Sequence, residues 1–365
     1  MKTKNVFAVC SMFVLCACAA GPDYQRPKTP QTEDYTAKND YLSSETHIAL
    51  GKELTAEWWT LFSSESINNT IQQALQDNYT LAAAKARLAQ AQEAVKSKSG
   101  ELLPQISLLG VTGAQKYGVA QFGPSNFSVP AYSYYELGPQ ANWTPDIFGG
   151  TRRSIEWQKA LANHQAYQLK AAYLTLTSNI VAQVIEIAVT KGKIETVEQM
   201  IALDRKQRKL TEASFEAGAA TKLDILKAEN QLNDDLALLP PLQQNLKLAE
   251  HALSVLVGKA PSEWTVPDFT LSDLMLPKEL PVSLPSELVH KRPDILAAEA
   301  NLQAASAAVG VATANLYPSL LITGNTLQES LALHSLFNGA NNAWALAANL
   351  TAPLFSGGTL SAEKR

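Results

Sequence analysis

The side chains in this sequence best placed for covalent chemistry are three cysteines, Cys10, Cys16 and Cys18, all within the first eighteen residues. The rest of the chain can form no disulfide, so its stability must come from packing and assembly. Lys2 and Lys4 form a basic start, and the apolar run Val6 to Ala17 is shorter than the roughly 20 residues that cross a bilayer. Residues 1–17 therefore read as a secretion signal. In Leu15-Cys16-Ala17-Cys18, small residues precede a cysteine, which suits a signal peptidase that leaves Cys18 as the first mature residue. Its thiol is then the expected lipid attachment point. Ala19 follows it rather than an aspartate, which favours sorting to an outer membrane. Gly21-Pro22-Asp23-Tyr24 supplies a flexible tether. The competing account is an ordinary signal peptide with cysteines as apolar filler.

Other chemistry finds little footing. The five histidines, His47, His164, His251, His290 and His334, sit in unrelated segments without HExxH or carboxylate partners at ligand spacing. There is no GxSxG, no phosphate-binding loop and no dinucleotide fingerprint, so neither an enzyme nor a metal or other cofactor is expected. Thirty basic against 34 acidic side chains leave a formal charge of −4. With no basic tract or basic–aromatic run, no nucleic-acid partner is expected.

The elements that position these residues come as two copies of one unit. Leu81 to Pro104 (LAAAKARLAQAQEAVKSKSGELLP) aligns without gaps to Ile295 to Pro318 (ILAAEANLQAASAAVGVATANLYP) at a constant offset of 214. Ala83, Ala84, Ala86, Leu88, Ala91, Ala94, Val95, Leu102 and Pro104 each meet an identical residue. In both copies a helix ends at the proline and a stretch of period two follows. Pro-x-x-x-Gly-Gly then closes the unit, at Pro145–Gly150 and Pro353–Gly358.

From Ala131 to Trp143 one face carries Ala131, Tyr135, Leu137, Ala141 and Trp143, and the other Tyr132, Tyr134, Glu136, Gln140 and Asn142. The later copy sets Trp344, Leu346, Ala348 and Leu350 against Ala345, Ala347, Asn349 and Thr351. This is the pattern of a barrel strand between lipid and a wet lumen. Ile106–Tyr117 and Leu320–Leu327 are the expected hairpin partners. No other stretch reads as a membrane helix, so a spanning structure must be a closed barrel. Four strands per chain fall short of the about eight that the smallest barrels need, so oligomerisation is expected.

After Gly150 the period becomes seven. Tyr173, Ile180, Ile187, Ile194 and Ile201 recur with Leu176, Val184 and Val197 between them. Ile225, Leu232, Leu239, Leu246 and Leu253 do the same, joined by Ala228, Leu242, Ala249 and Leu256. Sustained heptads predict coiled-coil packing. The two helices flank Ala217-Gly218-Ala219-Ala220, where glycine permits reversal into an antiparallel hairpin. Pro240-Pro241 predicts a break or offset in the returning helix. Gly149, Gly150, Gly357 and Gly358 are expected to permit sharp strand-to-helix turns. Arg292-Pro293-Asp294 reads as a helix start with Asp294 as cap.

The expected organisation is a signal (1–17), a tether and extended segment (18–65), a first repeat (66–260), a proline-rich linker (261–285) and an incomplete second repeat (286–365). The first repeat comprises a helix, a β-hairpin at 105–148 and a helical hairpin at 151–258. The second comprises a helix at 286–316 and a β-hairpin at 319–355. By analogy with the first copy, a second helical hairpin of about 110 residues should follow Thr359. The sequence reaches Arg365 first and is read as stopping short.

The chain resembles the TolC-like outer-membrane efflux lipoproteins, including nodulation-type members. The resemblance is carried by Cys18 to Pro27 (CAAGPDYQRP), Glu57 to Phe62 (EWWTLF), Trp143 to Gly150 (WTPDIFGG), Glu216 to Glu229 (EAGAATKLDILKAE), the Leu239-Pro240-Pro241-Leu242 break and Leu284 to Ala298 (LPSELVHKRPDILAA). These span nearly the whole chain in order. The resemblance implies a mainly α fold with β: long antiparallel coiled-coil helices plus four barrel strands per subunit. As a homotrimer it would form a 12-stranded barrel in outer-membrane lipid and an α-helical tunnel that meets a periplasmic adaptor and an inner-membrane pump. It also implies a tunnel-mouth role for Asp224, for which a solvated aspartate in a first helical turn is the competing account. Phe215, Gly218, Lys222 and Leu223 are the adaptor-docking candidates, against a plain turn. The function expected is passive conduction of what the pump delivers. The alternatives are a structural periplasmic coiled-coil lipoprotein or an inactive truncated relic.

Overall fold

The computed structural model of the chain describes residues 19–28, 55–118, 130–275, 283 and 289–365, together with the backbone of 47–50 and 279–282. The expected signal and Cys18 lie outside the described residues, as do 284–288 where the linker meets the second repeat. The elements in order are β1 (His47–Leu50), a 3₁₀ turn (Trp58–Phe62), α1 (Glu65–Asp77), α2 (Tyr79–Gly100), β2 (Gln105–Gln115), β3 (Tyr132–Trp143), α3 (Gly150–Glu216) and α4 (Lys222–Val257). There follow β4 (Glu279–Val282), α5 (Pro293–Ala314), β5 (Ser319–Ser330), β6 (Asn342–Thr351) and α6 (Thr359–Lys364). The chain divides into two compact units, each drawn from separated stretches.

One unit contains the described parts of Met1–Pro27, Ala89–His164 and Ala297–Arg365. Its four-stranded antiparallel sheet has the order β2-β3-β5-β6. The register places Ile106 opposite Ala141 and Leu108 opposite Pro139. It also places Trp143 opposite Ile322, and Ile322 in turn opposite Ala348. Because paired residues share a face, one mainly apolar face runs across all four strands, interrupted by Thr326 and Gln328. Beside the sheet, α5 packs antiparallel on the first turns of α3. His164 Nδ1 lies 3.1 Å from the Ala297 carbonyl, and a Cβ added at Gly150 would meet the Ala314 methyl at 3.1 Å. Small residues make that approach possible: Ala297, Ala300, Ala304, Ala307 and Gly310 are buried at spacings of three and four.

The other unit contains the described parts of Lys28–Leu88 and Gln165–Leu296. Its core gathers Trp59, Ile67, Ile71 and Ala74 around Leu176, Ile180, Val184, Ile187, Leu253 and Val257. Leu176, Ile180, Val184, Ile187 and Leu253 occupy heptad positions, so the period-seven stripe becomes the buried seam of the helical hairpin. Farther along, Val197, Ile201 and Leu232 make a smaller cluster with Leu236, Leu239 and Leu242. Asn78 forms the corner between α1 and α2. Its side chain donates to the Leu256 carbonyl at 2.9 Å and accepts from the Leu81 amide at 2.9 Å.

Four expectations are corrected. The returning helix does not break at Pro240-Pro241; α4 runs through both prolines. Both rings lie on the exposed side, where carbonyls that lose their donors face solvent, while Leu239 and Leu242 keep their packing. Asp294 is not the cap of α5, which begins at Pro293. Asp294 sits inside the first turn and accepts from Arg292 Nη2 at 2.7 Å. The proline-rich 261–285 stretch also contains β4, which pairs in parallel with β1 from His47↔Glu279 to Leu50↔Val282. Finally, α3 and α5 each contain a window long and apolar enough to cross a membrane by length and composition, which the sequence reading denied. Within the chain, 39% of the α3 window and 28% of the α5 window are buried.

Candidate functional site

Two regions carry the expected functional residues. In the sheet unit, the apolar face of the strands has nothing covering it among the described residues. Ile106 is 76% exposed, Trp344 76%, Leu346 73% and Leu350 70%. The opposite face is polar: Gln140 donates to Ser107 Oγ at 3.1 Å, and Glu136, Asn325 and Asn349 lie on the same side by register. β2 and β6 are edge strands of this sheet. A sheet with one apolar face, one polar face and two open edges matches the wall of a wet pore seen from a single subunit.

The strand-to-helix turn after β3 is built by Asp146, a residue the sequence reading passed over. Its carboxylate accepts from the Thr151 amide at 2.9 Å and from the Arg152 amide at 2.9 Å, satisfying orphan donors at the start of α3. Gly149, with φ +78°, makes the turn that a side chain would oppose, and Gly150 is the first helical residue. Gly357 and Gly358 also have positive φ, before α6.

In the other unit, the reversal between α3 and α4 is tightly hydrogen-bonded. The Ala219 amide donates to the Ser214 carbonyl at 2.8 Å and the Gly218 amide to the Phe215 carbonyl at 2.9 Å, a Schellman termination with Gly218 at φ +77°. Thr221 and Asp224 then form a capping box at the start of α4. Asp224 Oδ2 accepts from the Thr221 amide at 2.8 Å and its hydroxyl at 2.6 Å. These bonds, followed by the Lys227 charge, hold its carboxyl below the usual carboxylate range. Phe215 is 43% exposed and Leu223 59%, with Lys222 exposed beside them. The tip therefore offers apolar surface on a rigid turn.

Between α3 and α4 lies a carboxyl pair with no signal in the local sequence. Asp235 is 6% exposed and accepts from Gln231 at 3.3 Å. A hydrogen bond to Asp235, then burial and the Asp235 charge, hold Asp204 above the usual carboxylate range. Nearby, Arg208 is engaged at 3.9 Å by Glu212 and at 3.7 Å by Glu229. A raised carboxyl favours the folded hairpin most below the ordinary pKa, and the contribution is lost as pH rises through the raised value. The Asp224 cap has the opposite sign: present at neutral pH and lost as pH falls through its lowered pKa. Amide exchange around Ile201 and Leu232, corrected for intrinsic rate, is expected to be faster at neutral pH than at a pH below the ordinary carboxylate range. Asp204→Asn should flatten that difference. An unchanged pH dependence in the variant would remove the carboxyl pair as its source.

Comparison with known proteins decides what the two regions belong to. The model of the outer membrane efflux protein family matches residues 70–259 and 284–365. The chain belongs to the outer membrane efflux protein family. Nodulation protein T of Rhizobium leguminosarum bv. viciae is 25% identical over 368 aligned positions, covering 100% of this chain and 72% of that protein. The pyoverdine export outer membrane protein OpmQ of Pseudomonas aeruginosa is 28% identical, covering 100% of this chain and 75% of its own length. The outer-membrane channel OprN superposes with a TM-score of 0.84 at 28% identity, over 95% of this chain and 76% of that one. The chain is an outer-membrane channel subunit of an efflux system. Its relatives are channel proteins rather than enzymes. Channels of this family are trimers that work with a periplasmic adaptor and an inner-membrane pump.

Proposed function

We propose that three copies of this chain close their sheets into one 12-stranded barrel. In this reading the helical hairpins line a periplasmic tunnel, and the duct passively conducts what an inner-membrane pump and its adaptor deliver. The observation that carries it is the four-stranded sheet with two open edges and an exposed apolar face. An open edge in lipid leaves unpaired backbone groups costing several kcal/mol each, so each edge must find the edge of another copy. Cys18, acylated, adds an anchor whose chains contribute about 0.8 kcal/mol per buried CH₂. Phe215, Gly218, Lys222 and Leu223 present the surface to which the adaptor docks. Asp224 holds the start of α4 at the tunnel mouth, and in three copies its carboxylate gives that mouth an acidic ring.

Leu346→Arg and Ala345→Arg separate this reading from a scaffolding lipoprotein. The two positions are neighbours in β6 on opposite faces. On the lipid side the charge costs about 2–4 kcal/mol near the bilayer midplane, whereas on the lumen side it alters only selectivity. Unheated gel electrophoresis should show a heat-dissociable trimer for the parent chain and Ala345→Arg, with much less for Leu346→Arg. Planar-bilayer conductance should follow the same order. Equal trimer yield and no conductance from either variant would sink the duct reading.

A further inference from the structure

In the sheet unit, residues Ala19 to Arg26 lie in a fitted seat on α3 and α5. The Ala20 amide donates to the Phe148 carbonyl at 2.9 Å. Arg153, 6% exposed, is aimed at the segment from below. Its Nε donates to the Ala20 carbonyl at 3.1 Å, and Nη2 donates to the Gly21 carbonyl at 3.4 Å and to Asp23 Oδ1 at 2.6 Å. Nη1 donates to Glu156 Oε2 at 2.7 Å, which holds the guanidinium in place. Glu299 of α5 takes the far end, accepting from Tyr24 Oη at 3.2 Å and Arg26 Nη2 at 2.6 Å. Glycines hollow out the rest. A Cβ at Gly149 would lie 2.6 Å from the Ala19 Cα, and one at Gly310 would lie 2.8 Å from Arg153 Cδ and 3.1 Å from the Ala20 carbonyl oxygen.

A buried guanidinium with its donors spread over backbone carbonyls and two carboxylates is a costly feature unless its partners stay put. Three of those partners, Ala20, Gly21 and Asp23, belong to the N-terminal segment, and the fourth, Glu156, is on α3 itself. We propose that Arg153 is the positioning residue of the N-terminal strap, fixing the chain end that bears the lipid at the junction of β3 and α3. This rests on the reading of Cys18 as acylated. Cys18 directly precedes Ala19 in the sequence, and Ala19 is the residue seated on Gly149. A free strap of the ten residues from Cys18 to Pro27 would reach up to roughly 33–36 Å. The clamp removes that slack. Acyl chains and the apolar sheet face then seek lipid from one fixed origin, and their insertion is coupled as in a short-linker bivalent ligand.

The test uses the full chain in its own outer membrane, carrying Ala20→Cys. With Cys18 consumed as a thioether, residue 20 bears the free thiol of the mature chain. Labelling by a membrane-impermeant maleimide reads strap release, and incorporation of an alkyne fatty acid reads acylation. Arg153→Ala is expected to speed labelling about tenfold while acylation is unchanged, as loss of a charged hydrogen-bond network should. Arg153→Lys should fall between. Asp23→Ala, which touches only the exposed strap side and cannot unfold the helices, should raise the rate about threefold. Equal labelling rates with and without Asp23 and Arg153 would overturn the proposal. Absence of fatty-acid incorporation, with maleimide labelling of the parent lacking Ala20→Cys, would instead overturn the acylation reading on which it rests.

Discussion

Gly138→Val should abolish the heat-resistant trimer and all conductance while leaving the helical hairpin folded. Gly138 lies in β3, an inner strand of the sheet, with β2 on one side and β5 on the other. A Cβ there would stand 2.1 Å from the Thr326 carbonyl oxygen and 2.9 Å from the Leu327 Cα. Both are backbone atoms of β5, so no rotamer change relieves the clash. The site has no reserve either. Pro139 follows and lacks an amide donor, and the β3–β5 pairing skips from Leu137↔Gln328 to Gln140↔Asn325. Forcing the strands apart here splits one four-stranded sheet into two hairpins and exposes two further edges to lipid. Gly110→Val is the control, since its Cβ would meet only the flexible tip of Leu137, at 3.6 Å. Unheated gel mobility and bilayer conductance read the outcome, with circular dichroism reporting retained helix. A trimer of Gly138→Val in normal yield would show that β3 and β5 need not approach this closely.

Trp59→Ala should destabilise the hairpin unit by about 3–5 kcal/mol, the usual cost of emptying a buried aromatic site. Trp59 is 1% exposed. Its Nε1 donates to Asn68 Oδ1 at 3.2 Å, and its ring centroid lies 6.1 Å from that of Tyr173. It meets Trp58 edge-on at 6.4 Å, and Trp58 donates to Thr177 at 3.3 Å. The pair thus ties the segment before α1 to the heptad seam of α3. Hydrogen exchange at Ile180, Val184 and Ile187 should speed by two or more orders of magnitude, since each 1.4 kcal/mol is about tenfold. Leu203→Ala, at a position 65% exposed, should change exchange there by less than about threefold. Protection in Trp59→Ala equal to that of the parent would place the stability of this unit elsewhere.

The local periods in this chain were legible because they are written in neighbouring residues. Ile180, Val184 and Ile187 recur at the spacing of a coiled-coil seam, and the seam is where they are buried. Tyr135, Leu137 and Trp143 alternate with polar residues, and they share one face of a strand whose ends fall within a residue or two of the expected span. Gly149, Gly218, Gly357 and Gly358 mark turns because each has a positive φ, which disfavours other residues. Strand number and helix hairpin therefore followed from sequence alone.

What the tertiary structure alone decided involves residues far apart in the chain. Arg153 reaches back across 130 positions to Asp23. β1 finds β4 across the whole first repeat, and Asp204 meets Asp235 only once the hairpin closes. None of these partners leaves a period or spacing near itself in the sequence. Pro240-Pro241 shows the converse: a strong local signal for a break is overruled because the prolines face solvent while Leu239 and Leu242 stay packed. Local propensity is worth about 3 kcal/mol per proline, and a helix anchored along its length by buried leucines and isoleucines can absorb that cost.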